Sequence, residues 1–106
     1  MPKFILLFSG APRRAGEQQN TDVTWDKWIE RLRQRNIYQA GSALPMQGKT
    51  IAATGEVNDF RPTPTSIGGY AVITATSLND AVEIARTAPH SQSGGVTEVR
   101  PCRDAG

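Results

Sequence analysis

The run Phe4-Ile5-Leu6-Leu7-Phe8 decides how the rest of the chain must be arranged. Five consecutive apolar residues lack the alternation of a half-exposed strand and are too few for a buried helix, so the segment is expected to be a strand covered on both faces. It is also too short for the apolar core of a signal peptide or for a membrane span, which points to a cytoplasmic protein. A doubly covered strand sets a condition: two layers of apolar side chains must come from elsewhere.

Working outward, the Ser9 to Asp22 stretch carries glycine, proline and polar residues without a period and is expected to be a loop. From Thr24 to Tyr38, Trp25, Trp28, Ile29 and Leu32 recur at i, i+3, i+4 and i+7, the stripe of one helix face, with Thr24 as N-cap and Asp26 in the first turn. The two tryptophans continue an aliphatic stripe and have no basic residues woven among them, so core packing accounts for them better than a stacking platform does. Gly41 to Gly48 has the composition of a turn-rich connection, and Lys49 to Thr54 alternates as an edge strand would, with a tight turn at Gly55 and Glu56 returning the chain through Val57 to Phe60. Tyr70 to Ala75 is a second, largely apolar strand. Ser77 to Arg86 is a helix, with Ser77 capping, Asp80 at the capping-box position, an apolar stripe of Leu78, Ala81, Val82 and Ala85, and Pro89 as its stop. Val96 to Pro101 alternates and closes as a strand.

The order β, α, β with a hairpin, β, α, β is that of a ferredoxin-like α+β fold, βαββαβ, with an antiparallel sheet and both helices on one face. A length of 106 residues fits a single domain spanning 1–106. The two helices then cover only one face of the Phe4 to Phe8 strand. The simplest cover for the other is a second copy, sheet against sheet, in a homodimeric α+β barrel.

Composition narrows the function. With 38% hydrophobic and 21% charged residues the chain is neither disordered nor membrane-resident, and a net charge of +2 gives no nucleic-acid footprint. Lys27, Arg31, Arg33 and Arg35 are interleaved with Asp26 and Glu30, the pattern of a solvated helix face. Cys102 has no cysteine to pair with, and one histidine and one cysteine make a metal site improbable, so neither metal nor cofactor is expected.

Four stretches together resemble a known family: "KFILLF" at Lys3 to Phe8, "WDKWIERL" at Trp25 to Leu32, "IGGYAVITATSLNDAVEIAR" at Ile67 to Arg86, and "VTEVRPC" at Val96 to Cys102. They are similar to the YCII-related family, in its DGPF branch, over Lys3 to Pro101. The resemblance implies a dimeric α+β barrel; related barrels include small isomerases, monooxygenases and ligand-binding domains, so the fold alone assigns no activity. The departure falls in "NDFRPTPTS", Asn58 to Ser66. Phe60 keeps the motif's Phe, Val57 stands on its Asp, Asp59 is the nearest carboxylate to replace it, and Pro62 and Thr65 occupy acidic positions.

Candidate site residues follow from the residue types. His90 is the one histidine, the residue type suited to a general acid or base near neutral pH, and with Asp59 it would form an oriented dyad. Arg61 offers a rigid bidentate donor for a carboxylate or phosphate, with Phe60 beside it. Tyr70 follows the Gly68-Gly69 pair, where missing side chains allow a backbone or a ligand to come close. Two functions are consistent with these residues: a homodimeric domain binding a small acidic or aromatic molecule in a cleft under the 59–66 loop, or a small lyase or isomerase transferring protons through Asp59 and His90. The first is preferred, because prolines and threonines have replaced the motif's acidic segment.

Overall fold

The computed structural model describes residues 1–10 and 18–103. Part of the expected Ser9 to Asp22 loop lies outside them. The chain runs β1 (Lys3–Ser9), α1 (Gln18–Gln34), β2 (Tyr38–Ala43), β3 (Lys49–Ile51), β4 (Val57–Asp59), β5 (Ile67–Thr74), α2 (Leu78–Arg86), α3 (Pro89–Gln92) and β6 (Val96–Pro101). Strands β2, β5, β1 and β6 form one antiparallel sheet in that order, and β3 and β4 pair in a separate hairpin. The first strand is therefore central, as the ferredoxin-like plan requires.

The apolar run divides by parity. Phe4, Leu6 and Phe8 are buried, and they meet Trp28 and Leu32 of α1, Ala81, Ile84 and Ala85 of α2, and Ala71 and Ile73 of β5 in one core. Both long helices thus cover the same face. Complete burial of Leu6 is worth about 2 kcal/mol. Ile5 and Leu7 point to the opposite face and are only half-buried, with Val72 and Tyr70 beside them on β5 and Arg100 and Glu98 on β6. Across its thinnest direction the Cα trace measures 19 Å, room for one sheet and one helix layer.

Local chemistry sets the helix ends. Ser77 Oγ accepts from Asp80 N, while the Asp80 carboxylate reaches back to the amide and hydroxyl of Thr76, a capping box displaced by one residue. In α2 the inward stripe is Ala81, Ile84 and Ala85; Leu78, expected in it, is exposed because it lies at the helix start beyond the sheet's cover. Helix α1 begins earlier than the sequence period indicates and stops sooner. Asn36 takes the left-handed conformation (φ 60°), Ile37 N donates to Leu32 O and Asn36 N to Arg33 O, a Schellman close that turns Tyr38 into a strand.

The second sheet strand is thus Tyr38–Ala43, not Lys49 to Thr54. Its alternation is broken by a bulge between Tyr38 and Ala40, so a period-2 reading misses it. The Lys49 to Phe60 hairpin exists as expected but stands apart from the main sheet, and Pro89, expected as a stop, opens the short helix α3.

Candidate functional site

At the end of the sheet where β1 finishes and β5 begins, the cover of α1 leaves a cleft of about 810 Å³. Its walls are Phe8, Trp25, Trp28, Tyr38, Met46 and His90, and its floor is the glycine-rich backbone of β2 and β5. The Gly68-Gly69 pair answers the sequence question about close approach: a side chain at 69 would press on the Ser42 carbonyl of β2. Ser66 and Gly10 stand at the rim, where the Pro64 carbonyl lies close to Gly10, so the 59–66 loop ends over this cleft. The Thr63 to Ser66 turn is held by its own hydroxyls, with Thr63 N donating to Ser66 Oγ at 2.9 Å.

Aromatic rings form one connected wall. Trp25 meets Phe8 at 5.1 Å and Trp28 at 5.5 Å between ring centroids, and Phe8 meets His90 at 5.5 Å. Trp28 is anchored from behind, its indole N–H donating to Thr87 Oγ1 at 2.8 Å, and that hydroxyl donates to the Ile84 carbonyl. The core assignment made for the tryptophans holds for buried Trp28, whereas Trp25 is half-buried and faces the cleft as well.

His90 is seated by two features. Its Nε2 lies 2.7 Å from the Ser9 carbonyl, which can only accept; the proton is therefore on Nε2, and in the neutral ring Nδ1 is left as the basic nitrogen. Behind it the chain is bare at Gly95, where a β-carbon would collide with the imidazole ring. Tyr38 is placed by a comparable gap, for a β-carbon on Gly41 would sit 2.5 Å from the Tyr38 hydroxyl and 2.8 Å from the Tyr70 carbonyl. Burial raises the Tyr38 pKa; the Arg33 guanidinium, 5.4 Å from the ring centroid, opposes this and the Tyr70 phenol adds to it.

The remaining sequence candidates lie elsewhere. Asp59, Phe60 and Arg61 line a shallower, more open cleft of about 670 Å³ on the hairpin, with Thr50 and Asn58. The Asp59 carboxylate is paired with Lys49 across the hairpin base, both well exposed. Asp59 and His90 share neither a hydrogen bond nor a cleft in one copy of the chain; His90 stands in the larger cleft, and Tyr70 borders it from β5 with its ring turned to the opposite face, beside Leu7. Trp25 and Tyr38 carry no site signal in the sequence: Trp25 fits a core stripe, and Tyr38 falls at the end of a helical segment. Among the described residues no three His, Cys, Asp or Glu side chains are grouped to hold a metal ion, and no helix is long and apolar enough to cross a membrane.

No curated protein sequence matches the chain significantly. Among solved structures it is similar to 5-chloro-2-hydroxyhydroquinone dehydrochlorinase (TftG) from Burkholderia phenoliruptrix AC1100, solved in complex with 2,5-dihydroxybenzoquinone. Identity is 18%, the match covers 94% of this chain and 93% of that one, and the TM-score is 0.55, a likeness of fold. At the level of sequence the family model of the YCII-related domain matches residues 3–104, and the chain belongs to that family.

Proposed function

We propose that this protein is a homodimeric small-molecule-binding protein that takes a planar aromatic or quinonoid ring in the cleft under the 59–66 loop. The observation that carries this reading is the cleft itself: about 810 Å³ beneath Trp25 and Phe8, with a glycine floor and a few polar groups, the usual make-up of a site for a small ring. The quinone held by the structurally similar dehydrochlorinase supports it. Phe60 and Arg61, on the hairpin cleft nearby in sequence, serve an acidic substituent or an approaching ligand. The second copy covers Ile5, Leu7 and Val72, the apolar positions that the helices leave uncovered.

Titration with 2,5-dihydroxybenzoquinone, followed by tryptophan fluorescence, tests the binding. Saturable quenching that is largely lost in Trp25→Ala and weakened in Arg61→Ala is expected; the absence of saturable quenching in the unaltered protein would sink the reading. Sedimentation at micromolar concentration tests the dimer, which Leu7→Asp should split.

One observation favours a second reading, a small lyase or isomerase working by proton transfer. The Ser9 carbonyl fixes the His90 tautomer and leaves Nδ1 as a base at the cleft. In this reading His90 takes the proton. Asp59, held by Lys49 within its own copy, assists only if it is released or supplied by the second copy. Protein-dependent exchange of the probe's ring hydrogen for deuterium, abolished in His90→Asn with binding retained, would support it; exchange at the solvent rate would remove it.

A further inference from the structure

The Tyr38 hydroxyl is placed with unusual care for a group that does nothing within the chain. Its ring is held between the core and the Arg33 guanidinium, 5.4 Å from the centroid, and the hydroxyl reaches across the backbone at Gly41, into space that exists only because position 41 has no side chain. Any larger residue there would collide with the hydroxyl oxygen, and also with the Tyr70 carbonyl, which the β2–β5 pairing fixes.

That hydroxyl makes no hydrogen bond to another described residue, and it opens on the cleft, where water or a ligand can reach it. If packing were the only requirement at position 38, phenylalanine would serve as well. Polar groups that converge on an apolar cleft without a partner in the protein are those that orient a ligand.

We infer that Tyr38 is a ligand-binding residue whose hydroxyl donates a hydrogen bond to an acceptor oxygen, a carbonyl or phenolate, carried by the ring in the cleft. The inference rests on the proposed binding function and adds to it a chemical requirement on the ligand. Burial favours the protonated phenol, so the group acts as donor and not as acceptor toward an oxygen anion. His90 stands on the far side: Tyr38 approaches over β2 and His90 over the end of β1, two strand spacings or roughly 10 Å apart across the sheet. A single ring with oxygen substituents on opposite edges spans that floor, whereas an unsubstituted hydrocarbon would leave the Tyr38 hydroxyl without a partner.

The test uses the whole chain and 2,5-dihydroxybenzoquinone. In Tyr38→Phe, affinity should fall about tenfold, as for loss of a hydrogen bond to a charged or strongly accepting oxygen, while the melting temperature stays that of the unaltered protein. The visible absorption band of the bound quinone should also move back toward its position in water, a change that a purely structural role would not produce. In the unaltered protein the bound carbonyl stretch should be lowered by the hydrogen bond, a measurement that does not depend on any variant folding. Equal affinity and an equal band in Tyr38→Phe, or an unlowered carbonyl stretch in the unaltered protein, would overturn the assignment of Tyr38 and leave the binding function standing. Failure of the unaltered protein to bind the probe at all would instead overturn the binding function, and the inference with it.

Discussion

The two clefts of this molecule differ little in volume, about 810 and 670 Å³, and greatly in what stands behind them. The larger is assembled from β1, β2, β5, α1 and α3, and its aromatic wall rests on Trp28 and Leu6, both almost wholly buried. The smaller is made by β3, β4 and the residues that follow, a two-stranded unit whose side chains are nearly all exposed. An isolated hairpin of that size is marginal in water, so its geometry is not held in advance of binding. Volume alone therefore does not identify a site: the cleft with core behind it can fix a ring in place, while the hairpin cleft can only adapt to what arrives.

That contrast can be broken experimentally. Leu6→Ala, directly behind the larger cleft, should cost about 3 kcal/mol in chemical denaturation and weaken ring binding; a loss below about 1 kcal/mol would mean that the cleft floor is not continuous with the core. Thr87→Val leaves the Trp28 indole N–H without its acceptor and should cost about 1–2 kcal/mol by the same measurement. On the hairpin, Lys49→Ala removes an ion pair whose side chains are 66% and 81% exposed, and the expected change is under about 0.5 kcal/mol. A much larger change would show that the hairpin is packed against something, most simply the second copy.

The smallest effect concerns pH. Because the folded-state pKa of Tyr38 lies above 10.0, the unfolded chain gives up that proton first as pH rises; the native state then binds more protons, and stability falls. The contribution is intact below pH 10 and declines above it. Tyr38→Phe should flatten that part of the stability curve, as measured by denaturation from pH 9 upward.

The sequence made the outline of the fold legible where local signals and tertiary demands agree. Phe4 to Phe8 required a central strand, Ser77 and Asp80 marked the start of α2, and Val96 to Pro101 matched β6 to the residue. Reading failed where one local signal hid another. Tyr38 closes the segment expected to be helical, but the left-handed turn at Asn36 has already ended the helix. Gly41 had the look of a turn residue, yet it lies within β2 because a ring must pass over it. The candidate site was half legible for the same reason. His90 carries recognisable chemistry and lines the larger cleft, but the Tyr70 ring falls on the opposite face of β5, and Asp59 is engaged by Lys49 on another element, a pairing that no spacing in the chain announces. Trp25 has two duties on one side chain, and the stripe reveals only the packing one.

The bulge in β2 has a consequence for how this chain tolerates changes in length. Tyr38 pairs with Ile73 and Ala40 with the next residue, Val72, so Gln39 is an insertion that the ladder passes over. Removing Gln39 would join Tyr38 directly to Ala40 and restore strict alternation, with Tyr38, Gly41 and Ala43 still directed to the helix side. Loss of Ala40 would do the same, with Gln39 moving opposite Val72, whereas loss of Gly41 would bring Ala40 opposite Ala71 and press its methyl group on the Tyr38 hydroxyl and the Tyr70 carbonyl. The strand therefore has one residue to spare, at Gln39 or Ala40, and none at Gly41, where a missing side chain and not a count of residues is what the pattern needs.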